Sequence, residues 1–476
     1  MKLPLSRIAE FLGISWPRND ADKRVATGYS IDSRTIDSGN LFFAVKGDRF
    51  DGHDFLGQAF ERGAVGAVVS RERLPALTAG DFRGRPAGEA PLLTVEDPLG
   101  ALQMLATAVR QLWARPVIAV TGSVGKTTTK EAIAHVLSIR YRVHKSEGNF
   151  NNHFGLPLML LKLQPEDDLA VVELGMSHLG EITALAQIAR PEMGVVTNVG
   201  PVHLEFFSSV REIARAKYEL IESLPAGGTA VLNADDEYVS QFGRSFKGRV
   251  VTYGFSQLAA VRAENIEYRG SQGSSFEIVI PGRREPALVG LVGRHNVLNA
   301  LAAIAVALER EIPLAEAASS LESLTAAERR GEVVRIGNIQ VINDCYNSNP
   351  KALAAMVEVL AGMPAGRRIV VAGEMLELGP AGEEMHGEAG EHMADRGIDI
   401  VLGVRGLAAS LVEAARRKGI SAEFVATPEE AGAWLARETR EGDVVLLKAS
   451  RGVKLENALA VWRQGSRGQG TAQGSS

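Results

Sequence analysis

The centre of the chain carries the stretch Val117-Ile118-Ala119-Val120-Thr121-Gly122-Ser123-Val124-Gly125-Lys126-Thr127-Thr128-Thr129. Its first four residues are apolar and mostly β-branched, which predicts a buried strand. Ile133 and Leu137 follow at helical spacing, so the glycine-rich turn joins a strand to a helix. In that context the backbone N–H groups of the turn converge on phosphate oxygens, Lys126 reaches the outer phosphates, and Thr127 offers its hydroxyl to magnesium. The stretch therefore predicts a nucleotide-binding α/β domain.

One position departs from the general phosphate-loop pattern. That pattern places a glycine five residues before Gly125, where this chain has Val120 inside the predicted strand. The pattern typical of motor ATPases and GTPases is therefore incomplete, although the phosphate-binding prediction does not depend on it.

The composition excludes several classes of protein. Of 476 residues, 45% are hydrophobic and 23% are charged, the formal net charge is -5, and one cysteine is present. These values are typical of a soluble globular protein and give no indication of a nucleic-acid groove. No window approaches about 18 uninterrupted apolar residues, so we expect a cytoplasmic protein without membrane insertion. The lone Cys345 excludes an internal disulfide, and we interpret it as a structural residue rather than a nucleophile.

The length predicts three domains, since domains usually span about 100 to 200 residues. Short β-branched runs alternate with helical patterns throughout, which indicates α/β domains with parallel sheets. We expect a small N-terminal domain, a central phosphate-loop ATPase domain with a mainly parallel sheet, a Rossmann-like C-terminal domain and a disordered tail rich in Gly, Ser and Gln. These lie at residues 1–97, 98–327, 328–463 and 464–476.

Apolar runs and helical spacing locate the predicted elements. The strands are expected at residues 41–45, 65–69, 92–95, 117–120, 169–172, 195–197, 230–232, 339–342, 369–372, 400–402 and 444–447. A loop is expected at 71–91, a linker helix at 98–115, helices at 296–307 and 351–360, and a hinge at 325–330.

The phosphate loop resembles the shortened loop of the Mur ligases and their folate-ligase relatives. Further segments similar to motifs of that family follow in the family's order. They are Gly148-Asn149-Phe150-Asn151-Asn152-His153-Phe154-Gly155-Leu156-Pro157, Glu173-Leu174-Gly175-Met176, Thr197-Asn198-Val199-Gly200, His203-Leu204-Glu205, Ala216-Lys217 and Gly293-Arg294-His295-Asn296-Val297-Leu298-Asn299-Ala300.

The first domain resembles the UDP-sugar domain shared by the tripeptide- and dipeptide-adding members, and the third domain resembles that of the members that add D-alanyl-D-alanine. The matching segments are Asp32-Ser33-Arg34, Gly47-Asp48-Arg49-Phe50-Asp51-Gly52-His53-Asp54-Phe55, Asn343-Asp344-Cys345-Tyr346-Asn347-Ser348-Asn349-Pro350, Gly373-Glu374-Met375-Leu376-Glu377-Leu378-Gly379 and Lys448-Ala449-Ser450-Arg451-Gly452. The Asp-Asn-Pro-Arg signature of the diaminopimelate-adding members is absent. Ala449 stands where the family usually has glycine.

The resemblance implies an ATP- and Mg²⁺-dependent amide-bond ligase of peptidoglycan synthesis. Its small-molecule partners would be UDP-N-acetylmuramoyl-tripeptide and D-Ala-D-Ala, joined through an acyl phosphate with release of ADP and phosphate. It implies a cytoplasmic monomer with no nucleic-acid partner. The third residue of the tripeptide, diaminopimelate or lysine, is left open.

The resemblance also implies roles around the nucleotide. Cofactor-binding residues would be Gly122, Ser123, Gly125, Lys126, Thr127, Thr128, Asn296, Arg330 and Asp344, with His295 as a neighbour of Asn296. Metal ligands would be Thr127, Glu173, His203 and Lys217, and catalytic residues Lys126, Lys217, His203 and Arg330. In several members the lysine matching Lys217 is carbamylated, and the alternative is an unmodified amine that contacts phosphate. The hinge arginine is Arg330 or the adjoining Arg329.

The substrate-binding residues implied by the resemblance lie in all three domains. They are Ser33, Arg34, Asn149, Asn151, Asn152, Tyr346, Asn347, Lys448, Ser450 and Arg451.

Two alternative functions share part of this pattern. Another ligase of the superfamily, adding a single amino acid to the nucleotide peptide or glutamate to folate, would keep most of the ATP site and differ in its amine. A nucleotide-gated switch or transport ATPase would need only the Lys126 loop, and the ordered later motifs argue against it.

Overall fold

A computed structural model describes residues 1–15, 24–78, 81–82, 85–86, 91–202 and 204–471. Within them the chain forms three main sheets, each flanked by helices. The predicted α/β class with parallel sheets in three regions is confirmed. No helix of the described residues is long and apolar enough to cross a bilayer.

The first sheet is parallel, with strand order β3-β4-β5-β8. The strands of this region are β1 Leu3–Pro4, β2 Val25–Ala26, β3 Gly28–Ser30, β4 Asn40–Phe43, β5 Gly66–Ser70, β6 Asp81–Phe82, β7 Arg85–Pro86 and β8 Leu92–Val95, and the helices are α1 Leu5–Phe11, α2 Leu56–Glu61 and α3 Leu74–Thr78. The prediction of a loop over 71–91 was wrong, because this segment contains α3 and the two-residue strands β6 and β7. Elements this short carry too few residues for a periodic apolar pattern.

The central sheet has nine strands in the order β10-β11-β9-β12-β13-β14-β15-β16-β17, antiparallel only at the β15-β16-β17 end. Its strands are β9 Val117–Thr121, β10 Val143–Lys145, β11 Leu169–Glu173, β12 Met193–Val196, β13 Thr229–Asn233, β14 Arg249–Gly254, β15 Val261–Tyr268, β16 Ser274–Ile280 and β17 Arg283–Val289. Its helices are α4 Pro98–Trp113, α5 Lys126–Leu137, α6 Gly155–Leu161, α7 Glu181–Ala189, α8 Val210–Glu222, α9 Arg294–Glu309 and α10 Leu314–Ser320.

Alternate residues of β9 face two different helix layers. Val117 and Ala119 pack in the core that contains α4, α6, α7 and α8, whereas Ile118 and Val120 pack in the core of α5, α9 and α10. Since successive side chains of a strand point to opposite faces, a strand covered on both sides is apolar throughout. This explains why β9 reads as an uninterrupted apolar run.

The third sheet has the order β18-β19-β23-β20-β21-β22, and only β18 is antiparallel to its neighbour. Its strands are β18 Glu332–Ile336, β19 Ile339–Asp344, β20 Arg367–Gly373, β21 Ile400–Val404, β22 Ser421–Val425 and β23 Asp443–Lys448, and its helices are α11 Pro350–Ala361, α12 Gly382–Asp395, α13 Ala408–Arg417, α14 Pro428–Glu438 and α15 Glu456–Thr471.

The predicted tail at 464–476 does not start where expected. Helix α15, anchored by the buried Leu459 and Trp462, continues through that boundary to Thr471, and residues 472–476 lie outside the described residues. The domain boundaries at 97/98 and 327/328 stay predictions. Helix α4 packs in one core with Leu41 of the first sheet and Val117 of the second, so it joins the two regions.

Candidate active site

The phosphate loop lies between the end of β9 and the start of α5. Gly122 has φ +148°, and a Cβ there would lie 1.9 Å from Thr197 Oγ1. Gly125 has φ +86°, and a Cβ there would lie 2.8 Å from Asn299 Oδ1. Only glycine fits both positions, because the backbone must turn while neighbouring polar side chains approach it closely.

The loop is held by the segment that follows β12. Gly200 donates its N–H to Ser123 Oγ at 2.9 Å, and Val124 donates its N–H to Asn198 Oδ1 at 3.0 Å. Asn198 returns a hydrogen bond to the carbonyl of Val124 at 3.0 Å, as does the hydroxyl of Thr197 at 2.6 Å. These bonds fix the path of the turn before a nucleotide arrives.

Lys126 is the first residue of α5, and its ammonium donates to the carbonyl of Gly122 at 2.8 Å. Burial lowers its pKa, an effect that Glu173 opposes and Arg330 reinforces. A lysine held in this way keeps its charge beside the turn, where phosphate oxygens would meet it.

A carboxylate lies opposite Thr127 at the end of β11. Glu173 is 3% exposed, and it accepts hydrogen bonds from Thr127 Oγ1 and from Asn151 Nδ2, both at 2.7 Å. Its backbone N–H donates to Ser146 Oγ at 3.0 Å, and the buried Lys130 donates to the carbonyl of Ser146. The structure thus brings the predicted Thr127 and Glu173 together at one point.

These oxygens fit a magnesium ion bound partly by phosphate and water. Among the described residues no cluster of three or more His, Cys, Asp or Glu side chains could hold a metal. Magnesium commonly takes one or two protein carboxylates and completes its octahedron with water and substrate phosphates. The predicted ligand His203 lies outside the described residues.

Lys217 lies in α8 and is 2% exposed. No hydrogen-bond or ion-pair partner for its side chain occurs in the described part of the chain, and burial, with Lys126 nearby, holds its pKa well below the usual range. Burial of an ammonium without a partner is unfavourable, which favours the uncharged form of this amine.

The side chains expected near adenine lie at the start of α9. Asn296 donates to the carbonyl of Val292 at 2.8 Å and accepts from Asn299 at 2.9 Å, which orients its amide. Asn299 also accepts from Thr129 of α5 at 3.0 Å, which links this helix to the phosphate-loop helix. Burial lowers the pKa of His295 to about 4, so its ring is neutral at physiological pH.

The two hinge arginines have different surroundings. Arg329 forms ion pairs with Glu328 at 2.7 Å and Glu456 at 2.6 Å. Arg330 instead lines the cavity described below and stacks 3.9 Å from the ring centroid of Tyr346. Of the two, Arg330 is the one that lines the same cavity as Lys126.

The C-terminal ends of β19 and β23 contribute a second group of polar side chains. Lys448 is 2% exposed, donates to Asp344 Oδ2, and reaches the carbonyl of Asn347 at 3.1 Å. Ser450 Oγ donates to the carbonyl of Ser348 at 3.2 Å and accepts from the N–H of Leu376 at 2.9 Å. The three loops at this edge of the sheet are thereby held to one another.

A cavity of about 840 Å³ connects these two sheet edges. Its lining includes most of the predicted residues, while the described residues Ser33, Arg34, Gly122, Lys217 and Arg329 are not among them. The predicted residues that line it are Ser123, Gly125, Lys126, Thr127, Thr128, Asn149, Asn151, Asn152, Glu173, His295, Asn296, Arg330, Asp344, Tyr346, Asn347, Lys448, Ser450 and Arg451.

A second cavity, also about 840 Å³, lies on the first domain and is lined by Ser33, Arg34 and the exposed Phe50. Arg34 forms a bidentate ion pair with Asp32, at 2.9 and 2.7 Å, which leaves further N–H donors of its guanidinium available. Asn149 and Asn152 line both cavities. A long substrate can therefore extend from the first domain to the phosphate loop.

The sequence analysis did not identify Lys351, which also shapes the site. Lys351 of α11 reaches the carbonyl of Val199 at 3.3 Å and lies 3.7 Å from Asp236, so it spans the central and C-terminal regions. In the sequence, the one indication of a role for Lys351 was that it directly follows the motif segment ending at Pro350.

Cys345 is buried with its pKa raised to about 12, in agreement with the structural interpretation of this thiol.

Known families and proteins match nearly the whole chain. The Mur ligase family catalytic domain matches residues 25–110, the Mur ligase middle domain 120–307, and the Mur ligase glutamate ligase domain 329–451. The UDP-N-acetylmuramoyl-tripeptide–D-alanyl-D-alanine ligase of Bacillus subtilis (strain 168) is 34% identical over 96% of this chain and 98% of that protein.

Two solved structures have the same three-domain architecture. MurF from Acinetobacter baumannii superposes with a TM-score of 0.86 and 28% identity, covering 98% of this chain and 99% of that one. The MurF ligase of Thermotoga maritima, in complex with ADP, gives a TM-score of 0.79 and 28% identity, covering 93% and 99%. Together with the family matches, these likenesses show that the chain belongs to the Mur ligase family.

Proposed function

We propose that this chain joins D-alanyl-D-alanine to the terminal carboxyl group of UDP-N-acetylmuramoyl-tripeptide, using ATP and releasing ADP and phosphate, in the synthesis of the peptidoglycan precursor. The observation that carries the proposal is the single cavity lined by the phosphate loop, Glu173 and the C-terminal residues Asp344 and Lys448. It meets the first-domain cavity at Asn149 and Asn152. The named activity of the similar Bacillus enzyme agrees with this arrangement.

The reaction requires activation of a carboxylate. A carboxylate oxygen of the tripeptide attacks the γ-phosphorus of ATP, the bond to ADP breaks, and an acyl phosphate forms. The dipeptide amine then attacks the acyl carbon, phosphate leaves, and the amine loses a proton. Lys126 and Arg330 donate to phosphate oxygens while negative charge collects there, a role that fixed cations perform well in a cavity partly closed to water.

Thr127 and Glu173 are the residues that would hold magnesium beside the phosphate loop. The ion would neutralise phosphate charge and orient the γ-phosphate. Asn151 and Ser146 keep Glu173 in place through the contacts to its carboxylate and its backbone N–H. His203 is proposed as a further ligand on the family resemblance alone.

We propose that Lys217 is carbamylated. Its neutral amine would add to CO₂ to give a carbamate and a proton, which replaces an uncharged buried amine with an anion. Burial, the absence of a partner within the described residues and the nearby charge of Lys126 support this assignment. A carbamate would attract the magnesium ion that an ammonium would repel.

The remaining residues position the substrates. Asn296, with His295 beside it, would meet the adenine edge, and Asp344 would accept from the ribose hydroxyls. Ser33 and Arg34 would bind the uridine diphosphate, with Asn149, Asn151 and Asn152 along the peptide and Tyr346, Asn347, Lys448, Ser450 and Arg451 near the acceptor. We also propose, on the family resemblance, that the enzyme acts as a monomer in the cytoplasm.

The proposal is tested by measuring ADP release from purified enzyme over a matrix of nucleotide peptides and amines. We expect turnover only when ATP, UDP-N-acetylmuramoyl-tripeptide and D-Ala-D-Ala are all present, with a pentapeptide product detected by mass. Equal turnover with D-glutamate would identify a different ligase of the family. ATP hydrolysis that ignores both substrates would identify a nucleotide switch.

A further inference from the structure

The C-terminal side of the cavity has an apolar wall. Ala352, Ala355 and Met356 lie on one face of α11, since residues three and four apart are neighbours on a helix. Leu376 and Leu378 join them from the loop that follows β20. We call these five residues the acceptor wall.

The loop that carries the two leucines is held by its backbone. Glu374 donates its N–H to the carbonyl of Val404 at 3.1 Å, and Leu376 donates its N–H to Ser450 Oγ at 2.9 Å. Between them, the N–H of Met375 donates to His386 Nε2 at 2.9 Å. Three consecutive N–H groups are thus fixed by three different elements, so the position of the leucines depends on these bonds.

His386 lies in α12 and is completely buried. Its Nδ1 lies 2.6 Å from the carbonyl of Gly382, so the ring proton is on Nδ1 and Nε2 is free to accept from Met375. Burial lowers the pKa of the ring, in agreement with this neutral form. His386 does not line the cavity and therefore acts on it only through the loop.

We propose that His386 is a positioning residue for acceptor recognition: it fixes the loop 374–378 so that Leu376 and Leu378 complete an apolar wall against which the two methyl groups of the acceptor dipeptide pack. This inference rests on the proposed function and specifies how the dipeptide is selected. Acceptors with charged side chains, such as D-glutamate or diaminopimelate, would have to place a charge against this wall, which is costly.

The first test compares His386→Leu with His386→Gln. Leucine leaves the N–H of Met375 without an acceptor, whereas glutamine supplies an acceptor and a donor in nearly the same places. Since the loop would lose one of its backbone anchors and Leu376 and Leu378 would lose their apolar contact with the two methyl groups, we expect the leucine variant to raise KM for D-Ala-D-Ala by roughly tenfold. KM for ATP and for the nucleotide peptide should stay within about twofold, and the glutamine variant should recover most of the loss.

A purely structural role would give a different pattern. All three KM values would then stay unchanged while the melting temperature and the active fraction fell, and glutamine would restore stability without a selective effect on the dipeptide. That pattern would overturn the proposal, as would equal increases in all three KM values.

A second variant tests the wall itself and does not depend on how well His386→Leu folds. Leu376 is 36% exposed, so Leu376→Asp should fold. It should raise KM for D-Ala-D-Ala by at least tenfold, because burying a methyl group against a carboxylate loses the apolar contact. Leu112→Asp, at an exposed site on α4, is the matched control and should leave all KM values unchanged.

An unchanged dipeptide KM in Leu376→Asp would overturn the assignment of the wall. Failure of the proposed function is recognised separately, because the unmodified enzyme would then not use D-Ala-D-Ala at all.

Discussion

Replacing Lys126 with methionine should abolish most of the catalysis without harming the fold. The substitution keeps the length of the side chain and removes an ammonium that makes one hydrogen bond, to the carbonyl of Gly122 at 2.8 Å. Loss of a fixed charge or donor aimed at developing negative charge typically costs about 2.7–4 kcal/mol, which is on the order of a hundredfold to a thousandfold in kcat. We therefore expect ADP release to fall by that factor.

The same substitution has an opposite effect on stability. Burial lowers the pKa of Lys126, and Arg330 adds positive charge nearby, so the folded protein holds this ammonium less favourably than the unfolded chain does. Methionine removes that penalty and loses a hydrogen bond worth about 1 kcal/mol. The melting temperature should stay within a few degrees of the original or rise.

The assay is steady-state ADP release at saturating substrates, together with thermal unfolding. Lys162→Met serves as control, because Lys162 is exposed and pairs with Glu147 at the surface. A Lys126→Met enzyme within about threefold of the original rate would refute the phosphate-loop role. A large fall in melting temperature would refute the electrostatic reasoning.

Three further predictions concern the same site. Lys217→Ala should lose most activity and regain part of it when small carboxylates are added. The intact mass of the unsubstituted enzyme should include the carbamate group. A fully active enzyme with an unmodified Lys217 amine would reject the modification. Binding of ATP and the nucleotide peptide should move the C-terminal domain toward the other two, because Asn296 and Asp344 lie on either side of Arg330 in the sequence. Solution scattering measures this movement, and identical profiles with and without both ligands would contradict it. Burial lowers the pKa of His295 from 6.5 to about 4, so the unfolded chain binds a proton more readily than the folded protein between these two pH values. The free energy of unfolding should therefore fall by about 3 kcal/mol in total as pH falls from 6.5 to 4. In His295→Gln, the free energy of urea unfolding should change less with pH over this interval. An unaltered pH dependence in that variant would contradict it.

Much of the fold could be predicted because parallel strands that are buried on both faces appear in the sequence as continuous apolar runs. The predicted strand at 92–95 has the bounds that the structure gives, and the helix predicted at 98–115 begins at Pro98 as expected and ends two residues earlier, at Trp113. Strands β15, β16 and β17 were not predicted, since they form an antiparallel edge where polar and apolar residues alternate and charged pairs such as Arg284 and Glu264 occupy the surface. Strands β6 and β7 were too short to carry a pattern.

The sequence alone predicted site residues only where they lie together in one continuous segment. The phosphate loop is one continuous segment, so Lys126 and Thr127 followed from the residues themselves. The contact of Thr127 with Glu173 joins distant segments and needed the family resemblance to anticipate it. The isolation of Lys217 depends on how α8 packs, and the partner of His386 is a backbone N–H, which no side-chain pattern can reveal.

In the proposed reaction, ATP activates the terminal carboxylate of the nucleotide tripeptide for attack by D-Ala-D-Ala. This activation is tested most directly with tripeptide labelled by oxygen-18 in that carboxylate, followed by mass analysis of the released phosphate and the product. We expect one labelled oxygen in each phosphate, formed in the same amount as ADP and pentapeptide. Unlabelled phosphate, or ADP released without pentapeptide, would contradict it.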